Sequence, residues 1–503
     1  VPAEAPRESP DIELDSPTGR LVLTTVVLGS AVAMLTATVV NVALPTLATE
    51  LDASSAGQKW VINGYTLTLA SLILIGGVLG DRYGRVRMYR IGVAWFAVAS
   101  LLCAVAWNVE SLIVFRLLQG VGGALLTPGS LAILEATLRK EDRGRGIGLW
   151  SGIGGVAGAI GPLAGGLLVE LSWRWVFVIN LPIAILVLAM SRWVPETRDP
   201  SAKDAPLDVG GAALTAIVLG SASYALIEGP EGGLSGLEVA LGLVAVVAFV
   251  ALMAWERGRD HAMLPIDLFA NRTFSVTNLL TFVVYGGLSI VFFLLIVQLQ
   301  VTAEWSPLAA GSALLPVTLI LLLLSPRVGA LTGVIGPRIP LTVGPLLTAG
   351  GMLLMTRIGP DADYLTDVLP AVVVYGLGLA CIVAPVTSTA LGAVPSERAG
   401  AASGVNNAVA RTGGLLAVAA VPGLVGLTGD ALSNPDVLGP GFDRALVVAA
   451  IAVASGGLIA FLFLPGRSIA SLGVHRHGLR VHQHPCPVDG SGTSIVDDDA
   501  VTV

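Results

Sequence analysis

The chain has 503 residues, 54% of them apolar and 13% charged, with a net charge of −7 and a mean hydropathy of +0.82. A soluble domain carries about 25% charged residues, so too little charge is present to cover a water-facing surface. The acidic balance, with no basic face, also excludes a nucleic-acid binder.

Segment 1–20 is acidic and Pro-containing, without the basic start of a cleaved signal peptide, and reads as an N-terminal tail. Apolar runs follow at 21–45, 58–78, 89–107, 111–134, 146–169, 174–193, 209–227, 237–255, 274–302, 308–331, 339–357, 367–391, 400–425 and 444–464. Runs of roughly 20 apolar residues cross a bilayer, and lipid leaves helices as the default because unsatisfied backbone groups are costly there. The expected class is an all-α membrane protein of fourteen spans. Cys103, Cys381 and Cys486 are an odd number, two of them inside apolar runs, so no disulfide framework follows.

With the N-terminus inside, 22 of the 28 Lys and Arg fall on inside segments and four, Lys59, Arg174, Arg357 and Arg444, on outside ones. The remaining two, Arg116 and Arg411, lie within spans. This alternation predicts a multi-pass plasma-membrane protein with both termini cytoplasmic.

An internal repeat divides the chain. Gly77-Val-Leu79 with Gly84 recurs as Gly329-Ala-Leu331 with Gly336, and Gly120-Val-Gly122 recurs as Gly376-Leu-Gly378. The repeat predicts two six-helix bundles over 21–195 and 259–465, with spans seven and eight inserted in a linker over 196–258 and a cytoplasmic tail over 466–503. Two related halves are typical of secondary transporters that rock around a central site. The tail is Gly/Ser/Asp-rich; its His475, His477, His482 and His484 read as low-complexity sequence rather than as a metal site.

The loop after span two reads Gly77-Val-Leu-Gly80-Asp81-Arg82-Tyr-Gly84-Arg85. Gly permits a tight turn, and the Asp81 carboxylate can pair with arginines or meet a helix N-terminus. Span four carries Arg116 and Gln119, three apart on one face. A guanidinium inside a span costs about 2.5–3.5 kcal/mol on insertion scales and needs a partner or a watery cavity, unless it snorkels to the interface. Span five places Gly148, Gly152, Gly155, Gly158, Gly161 and Gly165 at steps of three and four, a smooth face for close packing, with Gly166 alongside and Pro162 favouring a bend. Arg411 lies about 11 residues, or roughly 16 Å, into span thirteen, with Asn407 four positions before it on the same face. It reads as a cavity residue, with a structural hydrogen bond to unwound carbonyls as the alternative. Tyr65, Tyr285 and Gln298 could line the same cavity or serve as packing contacts.

The Gly77–Arg85 loop resembles the signature loop of the major facilitator superfamily. Thr38-Val-Val-Asn41, Trp173-Arg174-Trp175 leading to Asn180-Leu-Pro182, and Leu207-Asp208 before Gly211 are similar to its fourteen-span drug:proton antiporters of the EmrB/QacA type. The resemblance covers residues 20–465. It implies a major facilitator fold, export of hydrophobic, antibiotic-like compounds against inward proton flow, and resistance as the outcome. By the same resemblance Arg116 takes part in proton coupling, and Gly161-Pro162 with Gly165-Gly166 marks exporters. Many relatives carry an Asp where Thr36 stands here; its absence weakens the case for cationic substrates and leaves the proton carrier open among Arg116, Asp81 and Glu135, a carboxylate near the cytoplasmic end of span four. Thr36, Thr38, Asn41, Gln119, Tyr285, Gln298, Asn407 and Arg411 are the expected cavity residues. Gly77, Gly80, Asp81, Arg82, Gly84, Arg85, Gly158, Gly161, Pro162, Gly165 and Gly166 are the expected gating residues.

Other classes fit less well. No Gly-Lys dipeptide exists, so no Walker A loop can be built, and neither G-x-S-x-G nor H-E-x-x-H occurs. An importer, a metabolite exporter or a non-transporting sensor on the same fold remains as the alternative. Expected partners are a small hydrophobic substrate, protons and the lipid bilayer; no nucleic acid, cofactor or metal is expected, and the protein is expected to work as a monomer.

Overall fold

The computed structural model describes residues 11–198, 207–233, 235–257, 259, 263–395 and 398–466, without the side chains of 151–159 and 399. Gly158, residues 1–10 of the N-terminal tail, the middle of the linker and the histidine-bearing tail lie outside the described residues. Within them the chain is helical apart from one isolated bridge between Ile12 and Leu138.

The helices of the first half are α1 (Pro17–Leu51), α2 (Ser55–Tyr83), α3 (Arg85–Ala104), α4 (Val109–Thr137), α5 (Lys140–Val169), α6 (Trp175–Val178) and α7 (Asn180–Met190). An inserted hairpin follows as α8 (Val209–Gly232) and α9 (Gly236–Glu256). The second half comprises α10 (Arg272–Val301), α11 (Pro307–Ser312), α12 (Leu315–Ile335), α13 (Pro340–Met355), α14 (Leu369–Ala380), α15 (Val383–Gly392), α16 (Ala399–Leu424) and α17 (Pro435–Phe463). Local chemistry starts several of them: Ser16, Ser54 and Asn271 side chains accept from Gly19, Gly57 and Phe274 amides, and Asn108 forms a reciprocal capping box with Ser111.

Every predicted span coincides with helix, but the count is coarser than expected. Among the described residues, 11 helical segments are long and apolar enough to cross a membrane. The other predicted spans fall on α5, on α13, which has only 16 residues, and on α16, whose Asn406, Asn407, Arg411 and many Gly and Ala dilute its hydropathy. Helix α1 starts at Pro17 instead of residue 21. Ahead of it, segment 11–16 packs on the α4–α5 connection: Ile12 exchanges backbone hydrogen bonds with Thr137 and Arg139, and Leu14 is buried. The Leu14 amide and the Arg139 guanidinium hold Asp142 below the usual carboxylate range.

Helices α1–α7 pack mainly on one another, as do α10 and α12–α17. The halves meet along two seams. In the first, α5 lies on α11; a Cβ added to Gly166 would stand 2.5 Å from Leu308 Cα, and one on Gly311 2.1 Å from the Pro162 carbonyl oxygen. Only glycine allows this approach. In the second, α2 meets α16, and Asn63 Nδ2 donates to the Leu415 carbonyl at 3.3 Å. The inserted α8 covers this second seam, burying Leu219 with Ala70 and Leu415, and Ile227 with Ala56 and Ala419.

Candidate functional site

A continuous polar chain runs through the interior of the first bundle. Arg116 Nε donates to the Val61 carbonyl at 2.9 Å and its Nη1 to Gln119 Oε1 at 2.5 Å. Gln119 Nε2 donates to Ser100 Oγ at 2.7 Å, Asn180 Nδ2 to the same oxygen at 3.4 Å, and Thr36 Oγ1 to Asn180 Oδ1 at 3.0 Å. The chain joins α2, α4, α3, α7 and α1, and its side chains are at most 1% exposed. Arg116 is thus no interface anchor. Among the described residues no carboxylate ion-pairs with it; its charge is met by carbonyl oxygens and by the Tyr65 ring, 4.6 Å from the guanidinium carbon.

Tyr65 links this interior to the second half. Its ring stands edge-on to Phe96, and its hydroxyl lies within electrostatic reach of both Arg116 and Arg411. Arg411, half-buried on α16, is also within reach of Tyr285 on α10. Arg116 thus stands over Tyr65 inside the first bundle, while Arg411 lies on α16 between Ala408, packed against the Tyr65 cluster, and Leu415, which meets Asn63 of α2. A recess of about 650 Å³ beside Asp443 and Arg444 lies elsewhere, between the far ends of α16 and α17.

Other expected cavity residues disperse. Thr36 and Gln119 are consumed in the buried chain. Thr38 sits where a Cβ on Gly161 would stand 1.9 Å from its Oγ1, so α1 and α5 touch there, and Gly165 meets Val39 one turn on. Asn41 is buried with Oδ1 lacking a partner among the described residues. Gln298 is enclosed near the end of α10, donating to the Ile358 carbonyl at 2.8 Å, roughly 20 Å along the helix from Tyr285. Asn407 is exposed and bonds its own helix at Ser403, whereas its neighbour Asn406 is buried and donates to Asn278 Oδ1 at 3.1 Å and Thr281 Oγ1 at 3.0 Å.

At the end bearing most arginines, Asp81 Oδ1 accepts from Arg85 Nε at 2.7 Å, and Arg85 Nη1 reaches the Ala132 carbonyl at 3.5 Å. Glu135 is exposed there, within electrostatic reach of Arg85, Arg143 and Asp81. Gly77 lies against Pro128 of α4 and Gly80 near Arg85; the Arg82 guanidinium stands 5.4 Å from the Tyr83 ring centroid. The N-terminus of α3 is met by Glu196, unmarked in the sequence, whose carboxylate accepts from the Val86 and Arg87 amides at 2.9 and 3.0 Å. Gly84 adopts φ +113°, and a Cβ there would stand 2.9 Å from the Glu196 carboxylate. Glu196→Ala should therefore cost about 0.5–2 kcal/mol, the scale of a lost helix cap. Gly84→Ala should cost at least as much, through backbone strain and displacement of that carboxylate. Thermal unfolding of the purified variants checks both, and an unchanged midpoint for Glu196→Ala would contradict the capping role.

At the opposite end, Lys59 Nζ, whose side chain is 0% exposed, pairs with Glu231 Oε1 at 2.9 Å, and Glu231 Oε2 accepts from the Gly429 amide at 2.6 Å. Trp60 Nε1 donates to Glu228 Oε1 at 2.7 Å, and Ser55 exchanges hydrogen bonds with Gly429 and Leu432. One carboxylate of α8 thereby ties α2 to the α16–α17 connection.

Two helical halves meeting at glycine-tight seams, with arginines inside and beside the seam, define a polytopic membrane transporter rather than an enzyme. The chain belongs to the Major Facilitator Superfamily, whose family model matches residues 26–418. It is 37% identical over 392 residues to the puromycin resistance protein pur8 of Streptomyces alboniger, covering 77% of this chain and 78% of that one. It is 33% identical over 398 residues to the multidrug export protein EmrB of Haemophilus influenzae, covering 77% of each. The fold is similar to a bacterial homologue of the lysosomal transporter Spinster in its inward-facing, unoccupied conformation, with a TM-score of 0.65 at 17% identity over 90% of this chain and 99% of that one. A D-xylose–proton symporter gives 0.62 at 14% identity over 89% and 98%.

Proposed function

We propose that this transporter is a proton-driven exporter of hydrophobic, antibiotic-like compounds, working by alternating access and conferring resistance. In this reading fourteen spans, with both termini cytoplasmic, form a six-helix bundle over 21–195, an inserted pair over 196–258 and a second bundle over 259–465. The protein acts as a monomer in the plasma membrane.

The observation that carries the reading is the α5–α11 seam. Gly166 and Gly311 let the halves touch backbone to backbone with no ion pair between these two helices among the described residues, so the contact can part and re-form as the bundles rock. The motif responsible, Gly161-Pro162 with Gly165-Gly166, is the one whose resemblance points to export. The names of the relatives supply the substrate class. Arg116 and Asp81, with Glu135 at the cytoplasmic mouth, are the groups through which proton binding would bias the two arrangements.

Expression in an antibiotic-sensitive host should lower accumulation of a hydrophobic antibiotic several-fold, and a protonophore should restore it. Low accumulation that persists after the proton gradient collapses would remove the antiport mechanism.

A further inference from the structure

Arg411 is an unspent charge on the face that α16 turns toward the first bundle. Gly404, Ala408 and Arg411 follow at steps of four and three on one side of the helix. A Cβ on Gly404 would lie 3.0 Å from Leu74 of α2, and Ala408 packs against the cluster containing Tyr65, Leu69 and Ile73. Arg411 continues this face, half-buried, and makes no hydrogen bond or ion pair among the described residues. Arg116, by contrast, is consumed by Val61 and Gln119. Tyr285 stands on α10 where α16 comes close, a Cβ on Gly414 lying 3.8 Å from the Tyr285 carbonyl oxygen, and its hydroxyl makes no hydrogen bond among the described residues.

The acidic residues complete the picture. Helices α10, α12 and α16 contain none, and those of α1, α2, α4, α5 and α8 stand near the helix ends: Glu50; Asp81; Glu110 and Glu135; Glu141 and Asp142; Glu228 and Glu231. A cation lodged between the bundles at mid-membrane would meet the Arg411 guanidinium and no counter-charge from these helices. An anion there would neutralise a guanidinium that is costly to hold in a span.

We propose that the ligand site between α2, α10 and α16 takes hydrophobic aromatic anions, carboxylates or acidic phenols, with Arg411 as the counter-ion and Tyr285 as a hydrogen-bond donor. Guanidinium and carboxylate can pair through two parallel hydrogen bonds, which gives orientation as well as attraction. This assignment rests on the exporter reading and names its substrate class.

Binding is measured on the full chain in lipid nanodiscs, without a proton gradient, by the anisotropy of two xanthene dyes: fluorescein, an anion, and tetramethylrosamine, a cation. Fluorescein should bind at least tenfold more tightly, and Arg411→Gln should weaken it at least tenfold while Arg411→Lys retains most of the affinity. In the unaltered protein, naphthoate should displace fluorescein and naphthylmethylammonium should not, a comparison that needs no variant to fold. Equal or tighter binding of the cation, equal displacement by the ammonium, or undiminished fluorescein binding by a folded Arg411→Gln protein would overturn the assignment. Anion-selective binding without proton-dependent export would instead overturn the exporter reading and leave the site standing.

Discussion

Arg116→Met, combined with Gln119→Leu, is expected to leave a folded protein whose export rate has fallen at least tenfold. Arg116→Met alone should be the less stable of the two. It leaves Gln119 Oε1 without its donor in a buried interior, and such an orphan costs about 1–3 kcal/mol, whereas the Val61 carbonyl keeps its helical hydrogen bond inside α2. Replacing both side chains with apolar ones of similar length removes that orphan, although Ser100 then loses the Gln119 donor. Arg116→Lys should not rescue transport, because a single ammonium cannot reproduce a planar fork aimed at two oxygens. Thermal unfolding separates the structural cost from the functional one, and efflux of a hydrophobic antibiotic from energised cells gives the rate. A double variant that is stable and transports normally would reduce Arg116 to a packing element.

A second test of the same chain uses coupling. Thr36 and Arg116 stand at its two ends, joined through Asn180, Ser100 and Gln119. Residues of one hydrogen-bond network are non-additive by about 0.5–3 kcal/mol, whereas independent sites add. That Thr36 belongs here explains what an uncharged residue does at a position where a carboxylate was expected by resemblance: it accommodates Asn180 instead of titrating.

The helices were legible because lipid forces every backbone group into a helix, and apolar length alone marks them. Arg116 and Arg411 were legible for the converse reason, since a charge in such a run is costly enough to imply a purpose. Beyond Gln119, the members of the polar chain were not. Ser100 and Asn180 are single small polar residues in apolar helices, and nothing in sequence spacing brings α3 and α7 to α4. The choice between Asn406 and Asn407 likewise turns on one step of rotation along α16, 100° of helix, which a Gly- and Ala-rich segment with weak amphipathicity leaves undetermined. Glu196 hid outside the spans. Its only signal was an acidic residue in the Trp-Val-Pro-Glu-Thr segment that follows span six, and the glycine it packs against was already noted for its turn. The span count fell short of fourteen where the polar and small residues of α16 dilute its hydropathy, where α13 is short, and at α5, whose residues 151–159 are described by backbone alone.

Glu231→Gln should unlatch the ends of the two bundles opposite the arginine-rich end. In the closed arrangement Lys59 is fully enclosed, and its ammonium is balanced by a single carboxylate at 2.9 Å. Neutralising that carboxylate leaves an uncompensated buried charge, a change that costs about 3–5 kcal/mol in buried pairs. The cost falls only on the arrangement that encloses Lys59, so the population shifts toward one that returns it to water, in which this end of the seam is open. At about 1.4 kcal/mol per tenfold, even half the expected cost moves the balance more than tenfold. Ser55 reports the change, being fully buried where it meets Gly429 and Leu432. With Cys103, Cys381 and Cys486 replaced, Ser55→Cys should react slowly with a membrane-impermeant maleimide in the parent protein and at least tenfold faster beside Glu231→Gln. Adding Lys59→Met should restore slow labelling, because a neutral pair can be buried again. Glu228→Gln, which only weakens a bond to the half-buried Trp60 and leaves no charge unpaired, should have a much smaller effect. Identical labelling rates with and without the Glu231 charge would show that this end of the seam is held by packing alone.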